Sequence, residues 1–311
     1  MSSHSNQTHV VIGAGATGTA TATRLAFEGH DVKVITRSGS GPTHPSIELL
    51  ALDASDPAQL SSSTRGVTAI YNCANPSYSK WTTDWPPLAS SILGAAEAND
   101  AVLVTLSNLY GYGTTNPMRP ADTLAPPSVK GQVRADMWGK ALEAHIGGRV
   151  RVTEARASDF IGPGLGVNGH MGDRVVPRVL AGKSVSLLGR TDQPHSWTAI
   201  SDVAETLVAL GADERALGRP WHVPTDAPLS QAALVTRMCE LAGVAPVKVK
   251  TVPSMAVTLG GLIVPDMREL KEVIYQFEQP FVIDATDTTN TFGLEPTPID
   301  ETLKLTLDSY R

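Results

Sequence analysis

Cysteine is scarce in this chain. Cys73 and Cys239 are the only two among 311 residues, and they lie far apart in the sequence. Neither belongs to a C-x-x-C pair or to a Cys/His group with the spacing of a metal site. The sequence therefore offers no metal site built on cysteine, and we expect both thiols to be reduced, as in a cytosolic protein.

Runs of like charge and long apolar runs are also missing. Charged residues make up 18% of the chain and the net charge is -6, with no cluster of Lys or Arg, so the electrostatic footprint for nucleic acid or an anionic membrane is absent. No stretch approaches the roughly 18 uncharged apolar residues of a membrane span. Residues 1–9 lack the apolar core of a signal peptide. We expect a cytoplasmic protein whose partner is a small-molecule substrate.

Apolar residues make up 41% of the chain, which suffices for one large α/β domain with a smaller lobe attached. Up to about residue 161, short β-branched runs alternate with Ala/Leu-rich stretches of helical period. That alternation predicts βαβ units that build a parallel sheet. The predicted strands are His9–Ile12, Val32–Ile35, Ala69–Asn72, Ala101–Leu106 and Val150–Ala155.

Helical spacing predicts two of the helices between these strands. One begins at the Pro86-Pro87 pair, behind which Leu88, Ile92 and Ala96 recur every fourth residue. The other covers Arg134–His145. After residue 162 the chain changes to Gly/Pro-rich loops and short elements, which predicts a second lobe. The expected domains are residues 1–165 with 196–225, and residues 166–195 with 226–311.

A glycine-rich turn follows the first predicted strand. Gly13, Gly15 and Gly18 form a G-x-G-x-x-G motif that ends a strand and opens a helix. In such a turn the first glycine permits a tight bend, the second lets the backbone approach a pyrophosphate, and the third lets helix pack on strand. The helix N-terminus then presents amide groups to the anion. The motif predicts a dinucleotide site at Gly13, Gly15, Ala16, Thr17 and Gly18.

The end of the second predicted strand indicates which dinucleotide binds. An NAD-binding unit places an acidic residue there to hold the ribose 2′-hydroxyl. Here the strand ends in Arg37 and Ser38, while the nearby acid, Asp31, stands at the start of the strand. A guanidinium suits a 2′-phosphate because it can bind it bidentately. We therefore expect NADP(H) in preference to NAD(H), with Arg37 and Ser38 in contact with it.

Five further segments, in the same order along the chain, resemble the extended short-chain dehydrogenase/reductase family, the relatives of nucleotide-sugar epimerases and dehydratases. They are residues 52–56, 70–75, 156–164, 197–204 and 292–296. The resemblance implies an α/β fold with a Rossmann-type doubly wound parallel sheet and a smaller C-terminal substrate lobe. It also implies further cofactor contacts, at Asp53 and Ala54 beside the adenine, at Cys73, Ala74 and Asn75 beneath the cofactor, and at Ser158 beside the nicotinamide.

The family's catalytic residues are not conserved in type. The family uses a Ser or Thr and a Tyr-x-x-x-Lys motif, in which tyrosine donates the proton and lysine lowers its pKa and holds the ribose. The resemblance puts Leu106 at the hydroxyl position, with Ser107 one place away. Lys130 stands in place of the tyrosine and Arg134 in place of the lysine. A rival register pairs residues 136 and 140, and it contains no tyrosine either.

Hydride transfer can survive this loss, because the cofactor supplies the chemistry and the protein orients it and stabilises charge. Tyr110 and Tyr112 lie in a loop that leaves the carboxyl end of a strand, where ligands of open α/β sheets bind. Our hypothesis gives one of them the proton-donor role, with Lys130 as another candidate acid. Lys130 and Arg134, four residues apart, would otherwise act electrostatically, and like-charge proximity would lower the lysine pKa.

The substrate side departs from the family as well. In nucleotide-sugar enzymes the segment resembled by residues 189–197 supplies an arginine to the phosphates, and here His195 stands at that place. A histidine is mostly neutral at pH 7, so the phosphate clamp is lost or weakened, unless Arg190 compensates. Trp81, Trp85 and the stretch Met255–Ile263 are candidates to line an apolar substrate pocket. Trp81, Phe160 and His195 are the candidate substrate contacts.

Three functions are consistent with the sequence. The first is an NADPH-dependent reductase of a small ketone, enone or aldehyde, with a non-standard proton donor. The second is an epimerase or dehydratase that oxidises its substrate transiently and regains its cofactor. The third is an NADP(H)-binding sensor without catalysis. By analogy with the family, the chain could form a homodimer.

Overall fold

The computed structural model describes residues 6–255 and 269–311. Over these residues the chain forms two compact units. Unit 1 comprises the described residues up to Ser107, Val133–Arg156 and Val203–Trp221, and unit 2 comprises Asn108–Gln132, Ala157–Asp202 and the described residues from His222 onward.

This division assigns residues 108–132, 157–165, 196–202 and 222–225 to unit 2, although the sequence prediction placed them in the first domain. For the first of these segments the reason is a short backbone pairing inside unit 2. The amide of Met118 donates to the carbonyl of Val282 at 2.8 Å, and the amide of Asp284 donates to the carbonyl of Met118 at 2.8 Å. The excursion after the fifth strand is therefore tied to the C-terminal part of the chain.

Unit 1 is built on a seven-stranded sheet. Its central strands carry nearly continuous buried runs, as expected where helices cover both faces of a parallel sheet. In chain order they are β1 (Thr8–Ile12), β2 (Asp31–Thr36), β3 (Ile47–Ala51), β4 (Ala69–Asn72), β5 (Val102–Ser107), β6 (Arg151–Arg156) and β10 (Pro220–His222).

The sheet is doubly wound. The strand order is β10-β6-β5-β4-β1-β2-β3, and every pairing from β6 to β3 is parallel. The chain runs outward from β1 through β2 to β3, then returns to the other side of β1 for β4, β5 and β6. The switch point lies between β1 and β4, and ligands of such sheets bind outside the carboxyl ends of the strands there. The predicted fold class is confirmed.

The helices that accompany this sheet begin where the sequence provides start signals. Asp56, for example, caps the helix behind it by accepting from the amides of Ala58 and Gln59. None of the helices within the described residues combines the length and apolar character that a bilayer span requires. They are α1 (Ala16–Phe27), α2 (Pro57–Ser63), α3 (Trp81–Ala98), α4 (Val129–Ile146) and α6 (Ile200–Ala212), with single 3₁₀ turns at Tyr78–Lys80 and Glu214–Ala216.

The start of α3 corrects the sequence prediction. The helix begins at Trp81, upstream of the predicted start, and Pro86 and Pro87 lie inside it. Trp81 and Trp85 lie one turn apart and are buried. Their packing outweighs the backbone hydrogen bonds that the two prolines cannot make.

Two strands of the sheet were not predicted. β3 lies at the edge of the sheet, pairs only with β2 and is half-exposed along its length, so its apolar pattern is weak. β10 is three residues long and begins with a proline, a length at which periodicity carries no signal.

Unit 2 is made of short elements around a core of its own. That core joins the helices to the strands through residues such as Val176, Leu187, Trp197, Leu234 and Leu303. The elements are β7 (Asp159–Ile161), α5 (Val176–Leu180), β8 (Val185–Leu188), β9 (Trp197–Ala199), α7 (Gln231–Ala242), β11 (Val249–Val252), α8 (Thr286–Phe292) and α9 (Ile299–Asp308), with 3₁₀ turns at Gly166–Asn168 and Ile274–Phe277. β7 pairs with β9, and β8 with β11, both in parallel.

A buried pair of histidines links β1, which contains His9, to His30, the residue before β2. His9 on β1 is 4% exposed, and its ring meets that of His30 edge to face at 4.8 Å. Among the described residues, neither Nδ1 atom has a hydrogen-bond partner. Burial, and then the neighbouring His30, lower the pKa of His9 from 6.5 to about 4.

This pair predicts acid-sensitive stability. Between pH 6.5 and about 4 the unfolded chain protonates His9 while the folded protein holds it neutral. The stabilisation is fully present above pH 6.5, and within that window it is lost as the pH falls, by about 1.4 kcal/mol per pH unit. Chemical denaturation at several pH values should show that the free energy of unfolding depends less steeply on pH in His9→Leu than in the wild type. The half-buried His44 supplies the control, since an equally shallow dependence in His44→Leu would contradict the assignment.

Candidate functional site

The turn between β1 and α1 has no space for side chains at two of its three glycines. Gly13 has a φ of +94°, and a Cβ there would lie 2.9 Å from the carbonyl oxygen of Cys73. A Cβ at Gly18 would overlap the carbonyl of Gly13. Both glycines are therefore required by the packing of α1 against β1 and β4, as the motif predicted.

Gly15 differs from its neighbours, because it faces open space. A Cβ at Gly15 would meet no atom within 4 Å, and its φ of -68° suits any residue. Gly15 is also the N-cap residue of α1, and no side chain caps that helix end. The first amides of α1 thus point, with the positive end of the helix dipole, into a space that a Cβ would fill. A dinucleotide pyrophosphate fits this arrangement.

Arg37, Ser38 and Asp53 lie on the β2 and β3 side of this turn. Arg37 and Ser38 follow β2 and are exposed, and Ser38 Oγ lies 2.8 Å from Ser40 Oγ. The pKa of Asp53 is lowered, first by hydrogen bonds from the amide and hydroxyl of Ser55, and also by the charge of Arg37. Asp53 is therefore ionised and near Arg37, while Asp31 begins β2 and bonds to Asn6 at the other end of the strand.

The segment after β4 runs beside the glycine turn. The amide of Cys73 donates to the carbonyl of Ile12 at 2.9 Å, and Asn72 Oδ1 accepts from the amide of Ala74 at 3.3 Å. Asn75 is exposed. Burial raises the pKa of the Cys73 thiol to about 12, against a weaker opposing effect of Thr21. Cys73 therefore stays protonated at neutral pH and packs as a small apolar group.

Arg134 on α4 is held between two tryptophans of α3. Its guanidinium carbon lies 4.8 Å from the ring centroid of Trp81 and 4.4 Å from that of Trp85. Nη1 donates to the carbonyl of Leu106, near the end of β5, at 3.5 Å. Cation–π contacts of this kind fix the plane and position of a guanidinium. Trp81, proposed from the sequence as a substrate contact, is buried beside Arg134.

Burial along α4 distinguishes the two possible registers of the family motif. Lys130 is 2% exposed and Arg134 is 7% exposed. Asp136 and Lys140, the rival pair, are exposed on the other side of the helix. A Cβ at Gly131 would overlap the carbonyl of Tyr110, so this glycine is needed where α4 begins. The register that pairs Lys130 with Arg134 therefore corresponds to the buried face.

Lys130 has acidic partners that the sequence did not indicate. Its ammonium forms an ion pair with Glu269 and lies 3.5 Å from Glu272, with its side chain 3% exposed. The sequence prediction named only Arg134 as a charged neighbour of this lysine, and the structure adds two carboxylates from a distant part of the chain. These contacts hold the Lys130 ammonium against two carboxylates of unit 2. Its role as an acid stays a prediction that the geometry does not favour.

The two candidate tyrosines are both buried. Tyr112 is 1% exposed, and its hydroxyl lies 2.9 Å from His222 Nε2. His222 Nδ1 lies 3.0 Å from the carbonyl of Asp284, which can only accept, so Nδ1 carries the proton and Nε2 accepts from Tyr112. The Tyr112 hydroxyl also lies 3.5 Å from the carbonyl of Pro120, so two acceptors adjoin its proton. Tyr110 is 6% exposed, and its role as donor stays a prediction, as does that of Ser107, which is buried at the end of β5.

In unit 2, the position of the family's phosphate-binding arginine holds an acid–base pair. His195 Nε2 lies 2.9 Å from Asp159 Oδ2, with the histidine side chain 2% exposed. Arg190, considered as a substitute, is exposed and paired with Asp192 at 2.9 Å. Phe160 is half-buried on β7. Residues 256–263 of the proposed apolar stretch lie outside the described residues.

Two features of these sites gave no usable signal in the sequence. Trp81 and Trp85 stand at helical spacing, which is the ordinary pattern of a core face, so their clamp on Arg134 could not be read from it. Glu269 lies 139 positions beyond Lys130. Only the folded chain brings such residues together.

Comparison with known proteins agrees with this architecture. The model of the NAD dependent epimerase/dehydratase family matches residues 9–223. No curated protein matches the chain. Three solved structures share the fold over nearly their whole length, each at less than 20% identity.

The first is a UDP-glucose 4-epimerase with UDP-glucose from Thermotoga maritima, 18% identical, with 98% of each chain covered and a TM-score of 0.79. The second is a dTDP-glucose 4,6-dehydratase with NAD from Bacillus anthracis, 18% identical, with 98% of this chain and 96% of that chain covered and a TM-score of 0.79. The third is a UDP-N-acetylglucosamine 4-epimerase from Methanobrevibacter ruminantium, 14% identical, with 98% of each chain covered and a TM-score of 0.80.

The family model covers more than half of the chain and includes the glycine turn, the Arg134 helix and the sheet. The chain therefore belongs to the NAD-dependent epimerase/dehydratase family and has its Rossmann-type fold.

Proposed function

We propose that the protein binds NADP(H) and catalyses hydride transfer between this cofactor and a small carbonyl or alcohol that carries no phosphate. The observation that carries the proposal is the uncapped start of α1 beside the open space at Gly15. A pyrophosphate accepts hydrogen bonds from such amides and is stabilised by the helix dipole. Family membership supports a nicotinamide dinucleotide as the ligand.

The preference for NADP(H) rests on charge. Arg37 and Ser38 stand where a 2′-phosphate would need a cation and a hydroxyl, and the acid expected for NAD is not at the end of β2. Asp53, which is exposed and ionised, would lie beside the adenine, as the family resemblance implies. Arg37 supplies the only positive charge among residues 36–56.

The chemical step would rely on Arg134. When bound, a reduced nicotinamide supplies a hydride to the substrate carbon. The guanidinium of Arg134 can hydrogen-bond to an oxygen that gains negative charge, and its position between Trp81 and Trp85 keeps it charged and oriented. It cannot donate its proton, because a guanidinium stays protonated at all ordinary pH values. The proton must come from another group or from solvent.

A second candidate is the family's own chemistry, in which the substrate is oxidised transiently and the cofactor is regained. Membership of the family favours it. The His195–Asp159 pair argues against a nucleotide sugar, because it offers an anion in place of the arginine that binds phosphates. Binding without catalysis is favoured by the fixed partners of Lys130 and Arg134.

Cofactor consumption separates these candidates. Purified protein should be incubated with NADPH and a panel of small ketones, aldehydes and enones, with the loss of NADPH followed by absorbance and products by mass spectrometry. The proposal predicts that product forms in proportion to the NADPH oxidised. Product without net oxidation would establish transient cofactor use. Tight NADPH binding without any product, across hydroxylated substrates as well, would leave only a binding function.

Gly15 provides a test of cofactor binding that leaves the fold intact. Gly15→Val should fold normally, since its side chain meets no atom within 4 Å, but it should fill the space of the pyrophosphate. We expect NADPH affinity, measured by calorimetry, to fall at least about 100-fold, equivalent to about 2.7 kcal/mol. Gly94→Val on the exposed side of α3, where a Cβ also meets nothing, is the matched control. Equal affinity in both variants would contradict the site.

Arg37 provides the test of cofactor preference. Arg37→Ser should weaken NADPH binding at least about tenfold and leave NADH binding unchanged, because the lost contact is to the 2′-phosphate alone and charged hydrogen bonds are worth about 1.5–3 kcal/mol. Arg65→Ser, which removes another exposed arginine of unit 1, should change neither affinity. Parallel loss of NADH and NADPH binding in Arg37→Ser would refute the assignment.

A further inference from the structure

Tyr78 stands at the outer end of a group of rings around Arg134. Its ring meets that of Trp81 edge to face, with 5.1 Å between the centroids and 72° between the planes. Trp81 in turn meets Trp85 edge to face at 6.2 Å, and both indoles flank the guanidinium. We call these four residues the arginine cluster. All four belong to unit 1.

Tyr78 is the member of the arginine cluster that solvent reaches most easily. Trp81 is 1% exposed, Trp85 is 0% exposed and Arg134 is 7% exposed, whereas Tyr78 is only half-buried. The described part of unit 1 contains one other tyrosine, Tyr71 on β4, and that side chain is 1% exposed. Tyr78 is therefore the tyrosine of unit 1 that contacts both the solvent and the cluster that holds Arg134.

The turn that carries Tyr78 leaves the sheet beside the glycine turn. A Cβ at Gly13 would lie 2.9 Å from the carbonyl oxygen of Cys73 and 3.0 Å from Ala74 Cα, so the backbone after β4 borders the glycine turn directly. The chain then forms the 3₁₀ turn Tyr78–Lys80. This is the carboxyl end of β4, next to the switch point of the sheet, where ligands of doubly wound sheets bind.

Hydrogen bonds fix the backbone around Tyr78. The indole Nε1 of Trp81 donates to the carbonyl of Pro76 at 3.0 Å, and the amide of Lys80 donates to the carbonyl of Ser77 at 2.8 Å. Tyr78 lies between these partners in the chain, so its backbone is held on both sides. A reacting group needs a fixed position of this kind, because orientation supplies a large part of catalysis.

From these observations we infer that Tyr78 is the proton donor of the hydride transfer proposed above, on which this inference rests. Arg134 stabilises the negative charge on the substrate oxygen, and the hydroxyl of Tyr78 supplies the proton that a guanidinium cannot give. The arginine cluster then provides both groups that the reduction of a carbonyl needs from the protein.

The step balances in atoms and electrons. The carbonyl carbon receives a hydride from the reduced nicotinamide, the π electrons of the carbonyl move onto its oxygen, and the O–H bond of Tyr78 breaks as an O–H bond forms on the substrate. The carbonyl is reduced to an alcohol and the nicotinamide is oxidised. The phenolate regains a proton from water, which reaches it because the side chain is only half-buried.

Tyr78→Phe tests this role, because it removes the hydroxyl and keeps the ring that packs on Trp81. The probes are cyclohexanone, benzaldehyde and cyclohexenone, each with NADPH. For any probe that the wild type reduces, we expect kcat to fall at least about 100-fold, the lower end of what general acid catalysis contributes. The KM of that probe and the affinity for NADPH should stay unchanged. Tyr71→Phe, which removes a buried hydroxyl of the same unit, should keep the wild-type kcat.

The pH dependence separates a proton donor from a residue that only positions Arg134. In the wild type, kcat should fall as the pH becomes alkaline, because the phenol must carry its proton in order to donate it. Tyr78→Phe should lose this fall, since solvent then supplies the proton at a slow rate. An unchanged kcat in Tyr78→Phe, or an alkaline fall equal to that of the wild type, would overturn the inference.

Nitration with tetranitromethane tests the placement of Tyr78 without any substrate. Mass spectrometry should show that Tyr78 is nitrated in the free protein and that saturating NADP⁺ slows this reaction, because a donor must lie close to the carbon that receives the hydride. In Gly15→Val, whose cofactor space is filled, NADP⁺ should give no protection. Nitration of Tyr78 that NADP⁺ does not slow in the wild type would overturn the inference.

Failure of this inference and failure of the proposed function give different results. Equal rates of NADPH oxidation and product formation in the wild type and Tyr78→Phe would disprove the role of Tyr78 and leave the proposed function standing. A wild-type protein that binds neither NADPH nor NADH would disprove the proposed function, and the role of Tyr78 with it.

Discussion

The contact on which unit 1 depends is the close approach of α1 to the β1 and β4 strands at the glycine turn. No side chain fits at Gly13 or Gly18, because backbone atoms of the turn and of Cys73 occupy that space. The approach brings the uncapped amides of α1 to the switch point of the sheet, where the strand order reverses. Space remains only at Gly15. The packing that makes the fold compact also creates a place for an anion.

On α4, the positions that the family resemblance assigns to the tyrosine and the lysine hold two other charged residues. Arg134 is held between two indoles, and Lys130 is paired with glutamates. A tyrosine–lysine pair moves a proton, whereas a clamped guanidinium can only stabilise negative charge. In the proposed chemistry the cofactor therefore supplies the hydride, and the proton comes from another group or from solvent.

The features that could be predicted from the sequence are those set by residues close together in the chain. The glycine turn and the strands that flank it follow from residue spacing and strand character, since those requirements act over a few positions. The family resemblance implied the doubly wound sheet. The family resemblance placed Lys130 and Arg134 at the tyrosine and lysine positions. Burial along α4 then distinguished this register from the rival one, in which Asp136 and Lys140 are exposed.

The features that could not be predicted depend on tertiary contacts, which the spacing of residues in the sequence does not indicate. Three contacts join segments that lie far apart in the chain. They are the ion pair of Lys130 with Glu269, the packing of Arg134 between Trp81 and Trp85, and the hydrogen bond between Tyr112 and His222. The start of α3 was missed because the prolines inside it are a strong local stop signal, and the buried pair Trp81 and Trp85 overrides that signal.

The most direct test of this account is phosphorus NMR of NADPH titrated with the wild-type protein. Because the amides of α1 and the guanidinium of Arg37 are proposed to hold different phosphates, both the pyrophosphate and the 2′-phosphate resonances should shift or broaden on binding. Resonances that stay unchanged at saturating protein, for NADPH and equally for NADH, would contradict the claim that this turn holds a dinucleotide.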